Sequence, residues 1–256
     1  MKFSLITVTM GREVELKRLQ DSLAAQTYRD FEWIVVDQRI EKTTGGSLSA
    51  ARNLGLSRAS GDVVAFPDDD VWYEPKTLEK VAAILSDPEV DGVSFRLTDE
   101  CGVPSAGWMS SKRTVLSARN IWHTVVSCSI FLRRRALGPV RFDERLGVGS
   151  STRFGSGEET DLMMKLIERG GRFIYEGGET VFHPRFNGRY TMRRGWLYGN
   201  GCGLVLRRYH FGLHRLFWMM FSQGARAGQS LLQCRLRKAT FHMAMAFGRM
   251  WGYLVP

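Results

Sequence analysis

The sequence predicts an α/β protein built on a mainly parallel sheet flanked by helices, with a basic helical extension at its C-terminal end. Three observations carry that expectation. Short β-branched and aromatic runs recur through the first two thirds of the chain, and helical apolar spacing fills the gaps between them. The resulting β-α-β-α-β order favours a parallel sheet with right-handed crossovers. The charge is also uneven: of 36 Lys plus Arg and 26 Asp plus Glu, residues 180–256 hold 12 basic side chains and no acidic one.

The elements follow in order. "FSLITVT" (3–9), "FEWIVVD" (31–37) and "DVVAF" (62–66) read as strands. Between the first two, Leu16, Leu19 and Leu23 repeat at helical spacing. "LSAARNLGLSRA" (48–59) reads as a helix stopped by Ser60-Gly61. "EPKTLEKVAAIL" (74–85) reads as another, with Pro75 near its first position and Leu78, Val81 and Leu85 on one face. "VDGVSF" (90–95) and "TVVSCSIFL" (124–132) add strands, and 98–118 is expected to be loop or β structure. "ETDLMMKLIERGG" is a helix ended by Gly170, and "RFIYE" is a strand after it.

A chain of 256 residues, 44% hydrophobic and 24% charged, has the composition of a folded globular protein. Four widely spaced cysteines form no C-x-x-C pair, so zinc sites and a disulfide framework are not expected, and a reducing compartment is. "MKFSLITVTMGRE" reads as a first strand and not as a signal peptide, and no stretch approaches about 18 uninterrupted apolar residues. "TMGREVE" follows the first strand where a dinucleotide fingerprint would stand, and no P-loop is present. "GNGCG" (199–203) is a glycine cluster suited to a tight turn or to close backbone packing.

The chemistry concentrates in two acidic groups. "AFPDDDVWY" (65–73) places Asp68, Asp69 and Asp70 after an apolar strand, where open α/β sheets bind ligands. A solvated acidic turn is one reading. The other is a divalent cation site, since Mg²⁺ or Mn²⁺ is commonly held by one or two carboxylates plus substrate phosphates. In an extended segment Asp68 and Asp70 would share a face and Asp69 would point elsewhere. The second group, "GSGEETDL" (155–162), opens a helix with Glu158, Glu159 and Asp161. Acids there complement the helix dipole, and they also offer a general base apart from any metal ligands.

The segments "SLITVTM", "SLAAQTYRDFEWIVVDQ", "ARNLGLSRASGDVVAFPDDD" and "GEETDL" occur in the order and approximate spacing of family 2 inverting glycosyltransferases of GT-A fold, which residues 1–185 resemble. The resemblance implies a nucleotide-sugar donor (UDP-, dTDP- or GDP-linked) and Mn²⁺ or Mg²⁺. Thr9 and Asp37 would hold the base of the nucleotide. Arg52 and Asn53 would face the diphosphate and ribose, with Asp68 and Asp69 in the same donor-binding set. Asp68 and Asp70 match the metal-binding Asp-x-Asp. Glu159 falls at the catalytic base, with Glu158 and Asp161 as secondary acids beside it. His183 in "VFHP" resembles a histidine that joins the metal or diphosphate site in some relatives, and is otherwise an ordinary strand-end histidine. The chain departs from the usual "VVDDGS" by reading "VVDQRI", and its base is Glu where Asp is commoner.

Residues 186–256 mix Arg with Trp, Phe, Met and Leu, a pattern suited to an interfacial helix on an anionic membrane, or to a helical hairpin packed on the protein. Arg207, Arg208 and Trp218 are the expected membrane or acceptor contacts. Similar tails in the family accompany transfer to lipid-linked acceptors of surface polysaccharides, which would place the protein in the cytoplasm at the inner face of the membrane. Two rival readings remain. A sugar nucleotidyltransferase should carry a Gly-rich basic loop after the first strand. A non-enzymatic polyanion-binding protein would leave both acidic groups without a purpose. No nucleic-acid partner is expected.

Overall fold

A computed structural model describes residues 1–43, 46–105, 109–185 and 190–255. The elements are β1 (Phe3–Thr9), α1 (Glu13–Ala24), β2 (Phe31–Asp37), α2 (Leu48–Arg58), β3 (Val63–Ala65), β4 (Trp72–Tyr73), α3 (Thr77–Ile84), β5 (Gly92–Thr98), β6 (Thr114–Val115), β7 (Ile130–Arg133), α4 (Arg134–Leu137), α5 (Glu158–Glu168), β8 (Phe173–Phe182), α6 (Met192–Arg208), α7 (Leu213–Leu232) and α8 (Leu236–Leu254).

The chain divides into two compact units. The first comprises Met1–Thr43, Ala51–Arg141 and Leu162–Asn187, and the second Thr44–Ala50, Phe142–Asp161 and Gly188–Pro256. A cut at 185/186, as the sequence suggests, therefore misplaces two segments. Residues 44–50 and 142–161 go with the C-terminal helices, and the latter carries the whole second acidic group.

The sheet lies in the first unit, with strand order β2-β1-β3-β7-β5-β8-β4 and β6 paired to β8. Its long ladders are parallel: β1 with β2 over seven residues (Phe3↔Phe31 to Thr9↔Asp37), β1 with β3, and β5 with β8. β7 runs antiparallel between β3 and β5 and joins the two parallel blocks. This is the α/β architecture expected. β1 is buried along its whole length, as strands covered on both faces are. Leu19, Leu23, Leu78, Val81 and Leu85 pack as their spacing requires, each no more than 2% exposed, and each contributes roughly 1.5–3 kcal/mol by burial. "TVVSCSIFL" is strand only from Ile130, because a 3-10 turn at Ser127–Ser129 takes up its first half. Within 98–118, of which 106–108 lie outside the described residues, β6 is a two-residue strand.

In the second unit α6 packs closely on α8. Gly195, Gly199 and Gly203 repeat every four residues and so line one face of α6. A methyl group on any of them would overlap the backbone oxygens of Phe241, Met245 or Arg249. Gly248 and Gly252 answer from α8, against Trp196 and Asn200. The glycine cluster thus serves close helix packing and not a turn. No helix among the described residues is long and apolar enough to cross a membrane.

Candidate active site

The acidic triplet leaves β3 through buried Phe66 and enters a turn in which the Val71 N–H donates to the Asp68 carbonyl (3.2 Å). The segment is therefore not extended, and the expected shared face of Asp68 and Asp70 gives way to three separate directions. Asp68 accepts from the Arg52 guanidinium (2.9 Å), which also donates to Ser127 Oγ (2.9 Å). Arg52 is 2% exposed, and a buried guanidinium left without a carboxylate would be costly. Asp69 points inward, 2% exposed, and accepts from the Thr9 hydroxyl (2.7 Å) and from Arg12. Burial pushes its carboxyl above the ordinary value, while Thr9 and Arg12 pull it back. Asp70 accepts from Arg12 (2.7 Å), and its other oxygen lies 3.5 Å from His183 Nε2.

Several of the residues expected at the donor site have partners within the protein. Thr9 ends β1 and holds Asp69. Asp37 ends β2 and is forked by Arg39 (2.7–3.1 Å). The hydrogen bonds from Arg39 hold its carboxyl below the ordinary value. In "VVDQRI" the cation that engages Asp37 thus stands two residues after it, at Arg39. Asn53 is half-buried, next to Arg52 on α2.

Arg12 was not foreseen, although it bridges Asp69 and Asp70 and is the centre of charge in this cluster. Burial opposes its ionisation, but the two carboxylates outweigh burial and raise its pKa. The signal was present in "TMGRE", a basic residue just after the first strand.

A cation would find Asp70 and His183 side by side, a carboxylate oxygen and an imidazole nitrogen, with Asp68 next along the turn but engaged by Arg52. Among the described residues no group of three or more His, Cys, Asp or Glu is gathered to hold a metal. The pair fits a divalent cation whose coordination is completed by a diphosphate.

The second acidic group opens α5, in the second unit. Asp161 is fully buried and accepts from Arg208 and from the Tyr209 hydroxyl (2.8 Å). Arg208 also donates to Asp143 (2.9 Å), whose carboxyl is held far below its ordinary value: burial raises it, but hydrogen bonds from Arg145 and Arg208 prevail. Glu158 is 7% exposed and lies against Gly147. Glu159 is only half-buried, which makes it the most accessible acid of the three.

Two of the expected membrane contacts are spent internally. Arg208 is committed to Asp161 and Asp143, and Arg207 caps α8 at the carbonyls of Tyr253 and Leu254 (3.2 and 2.9 Å). Trp218 is 65% exposed on α7, beside exposed Phe217 and Phe221.

A parallel sheet with carboxylates at its C-terminal strand ends, a basic residue bridging them and a separate acidic helix start define a GT-A type α/β protein. Residues 38–140 match the family model described as glycosyl transferase family 2. It is 29% identical over 149 residues to poly(ribitol-phosphate) beta-N-acetylglucosaminyltransferase TarS of Staphylococcus aureus, covering 48% of this chain and 26% of that protein. It is 29% identical over 208 residues to an uncharacterized glycosyltransferase of Haemophilus influenzae, covering 72% and 68% respectively. The chain thus spans about a quarter of the length of TarS. The crystal structure of TarS 1–349 with UDP-GlcNAc superposes with a TM-score of 0.59 at 18% identity, over 98% of this chain and 91% of that one. Mannosyltransferase PcManGT of Pyrobaculum calidifontis, in complex with GDP-Man and Mn²⁺, gives 0.59 at 15% identity, over 98% and 87%. Both likenesses show the fold.

Proposed function

We propose that the protein is an inverting glycosyltransferase that moves a sugar from a nucleotide-sugar donor to an acceptor hydroxyl in the synthesis of a cell-surface polymer. The observation that carries this is the Asp68-Asp69-Asp70 turn at the end of β3, gripped by Thr9, Arg12 and Arg52 and flanked by His183. That arrangement supports a diphosphate site: Arg12 offers donors to phosphate oxygens, and Asp70 with His183 would hold Mn²⁺ or Mg²⁺. When bound, the cation neutralises charge developing on the leaving diphosphate. Glu159 is the proposed base. It accepts the proton of the acceptor hydroxyl as that oxygen bonds to the anomeric carbon and the bond to the diphosphate oxygen breaks. A single displacement inverts the configuration. TarS acts on poly(ribitol phosphate) by its name, which favours a surface-polymer acceptor.

The C-terminal helices supply a finer part of the same reading. Phe217, Trp218 and Phe221 are 60–67% exposed on one side of α7, and Arg226, Arg235 and Arg237 are exposed along the α7–α8 hairpin. That pairing of aromatic and cationic surface supports contact with an anionic bilayer at which a lipid-linked acceptor would reside. The decisive experiment screens UDP-, dTDP- and GDP-sugars by thermal shift with Mn²⁺ and with EDTA, then determines the anomeric configuration of the product by NMR. Expected are a metal-dependent shift with one nucleotide and an anomer opposite to that of the donor. A product of retained configuration overturns the mechanism.

A further inference from the structure

The run "RRRALGPVR" (133–141) begins at the start of β3, the end of that strand remote from the acidic triplet. Arg133 ends β7 opposite Val63, and the Arg134 N–H donates to the carbonyl of Asp62 (2.7 Å). A cavity of about 720 Å³ opens there, wholly within the first unit, and its lining includes Arg133, Arg134, Arg135, Arg141 and Asp62. Small-ligand sites occupy roughly 300–1,000 Å³. Each guanidinium is held by main-chain carbonyls. Arg133 donates to Val90 (2.8 Å) and Leu85, and Arg134 reaches Ala59 (3.5 Å). Arg135 donates to Pro88 (2.6 Å), and Arg141 to Gly138 and Val140 (2.9 and 2.8 Å). A carbonyl fixes a guanidinium without neutralising it. Among the described residues no carboxylate pairs with any of these four arginines. Asp62 is the one acid in the described lining, and its carboxylate already accepts from the Lys2 backbone N–H (2.9 Å).

We infer that this cavity is a second anion site, apart from the donor carboxylates, for a soluble ligand that carries two or more linked phosphate groups. Four guanidinium charges face one carboxylate in a concave site, an excess that concentrates anions. A guanidinium presents paired donors to phosphate oxygens, and those left over by the carbonyls remain for a ligand. The anchoring carbonyls belong to three separate stretches, at Ala59, at 85–90 and at 138–140, so the charges are spread around the cavity and not stacked at one point. A diphosphate or bisphosphate spans such a distribution, and a lone phosphate does not. The site does not depend on the glycosyltransferase reading, because none of the residues assigned to donor, metal or base lines it.

The test titrates inorganic phosphate, pyrophosphate and tripolyphosphate into the intact protein by calorimetry, at fixed ionic strength and in EDTA. The chelator removes the cation that would draw a diphosphate to Asp70 and His183. Saturable binding of pyrophosphate or tripolyphosphate, at least tenfold tighter than that of phosphate, is expected. Arg135 and Arg141 are exposed, so Arg135→Glu and Arg141→Glu should keep the wild-type melting transition while each weakens that binding at least tenfold. Arg135→Gln should weaken it by a smaller factor, and Arg12→Gln, at the donor carboxylates, should leave it unchanged. Phosphate that binds as well as pyrophosphate, or equal binding to wild type and both charge-reversal variants, overturns the inference. So does binding that Arg12→Gln abolishes and Arg135→Glu spares, since that would be the donor site. Sedimentation with anionic phospholipid vesicles that Arg135→Glu reduces, without saturable pyrophosphate binding, also overturns it, in favour of a lipid headgroup as the source of phosphate.

Discussion

Asp69 is the innermost of the three adjacent carboxylates, and it shares Arg12 with Asp70. Asp70 then sits between a guanidinium and an imidazole. Asp70→Asn should leave the fold intact, because the residue is at the surface of the turn, while nucleotide-sugar transfer falls to background and the Mn²⁺ dependence of donor binding disappears. A thermal-shift titration with and without EDTA checks this, and metal-dependent binding in the variant would remove Asp70 from the site. At the other acidic group, Glu159→Gln keeps the shape and loses the base, so kcat should drop by roughly 10²–10⁴ with donor affinity little changed. Loss confined to Glu158→Gln instead would move the base by one position. The triplet, His183 and the "GEETD" register are visible in the sequence because each is local. The direction of each side chain is not. Alternation along an extended strand is the only rule a sequence offers there, and the turn at Asp68–Val71 cancels it. Arg12 and Arg39 escaped for a related reason, since each acts only through a partner brought near by the chain's folding.

At the scale of the element, the strands and helices of the sheet are legible because apolar periodicity is a local consequence of being covered. The helices α6 to α8 are less so. Their packing is carried by glycines, which leave no apolar stripe. Gly199→Leu should separate α6 from α8 and lower the melting temperature by several degrees, whereas Gly228→Ala on α7, where nothing lies within 4 Å of an added methyl, should be neutral or slightly stabilising by helix propensity. Calorimetry of both variants makes the comparison.

The α7–α8 contact also holds a proton-sensitive group. His242 Nδ1 donates to Gln223 Oε1 (2.7 Å), and its Nε2 is buried with no partner among the described residues. Desolvation first, then Arg226, Lys238 and Arg249, push its pKa down to about 4. An unfolded histidine titrates near 6.5, so between about pH 6.5 and 4 the unfolded chain binds a proton that the folded chain refuses. Stability should therefore fall as pH drops through that window and be unaffected by this group above it. Melting temperatures of wild type and His242→Asn, measured from pH 7.5 to 4.5, should diverge in slope only below about 6.5.

For the whole molecule, the largest misreading concerned where one part ends. A linear sequence suggests a catalytic domain followed by a tail, because the basic stretch follows the last acid. The chain instead builds its second unit from three separated segments. A protein ending at residue 185 should accordingly fail to give a cooperative melt, and Arg208→Ala should lose about 3–5 kcal/mol, the usual cost of stripping one partner from a buried ion pair. The bilayer contact is tested on the intact chain. Sedimentation with vesicles containing anionic lipid should weaken with salt, and Trp218→Ser should reduce the part that salt does not remove. Equal sedimentation with neutral and anionic vesicles would point to an exposed face with another purpose.

The bond between Arg208 and Asp161 also limits how such a gene can be recombined. A crossover anywhere between codons 162 and 190 would pair the acidic loop of one parent with the terminal helices of another. A fully buried carboxylate would then face a helix not selected to neutralise it. The loop and the helices must therefore be inherited as one block. Exchange would then succeed only with that block moved whole, or by point changes at exposed positions such as Trp218, where no buried partner is left behind.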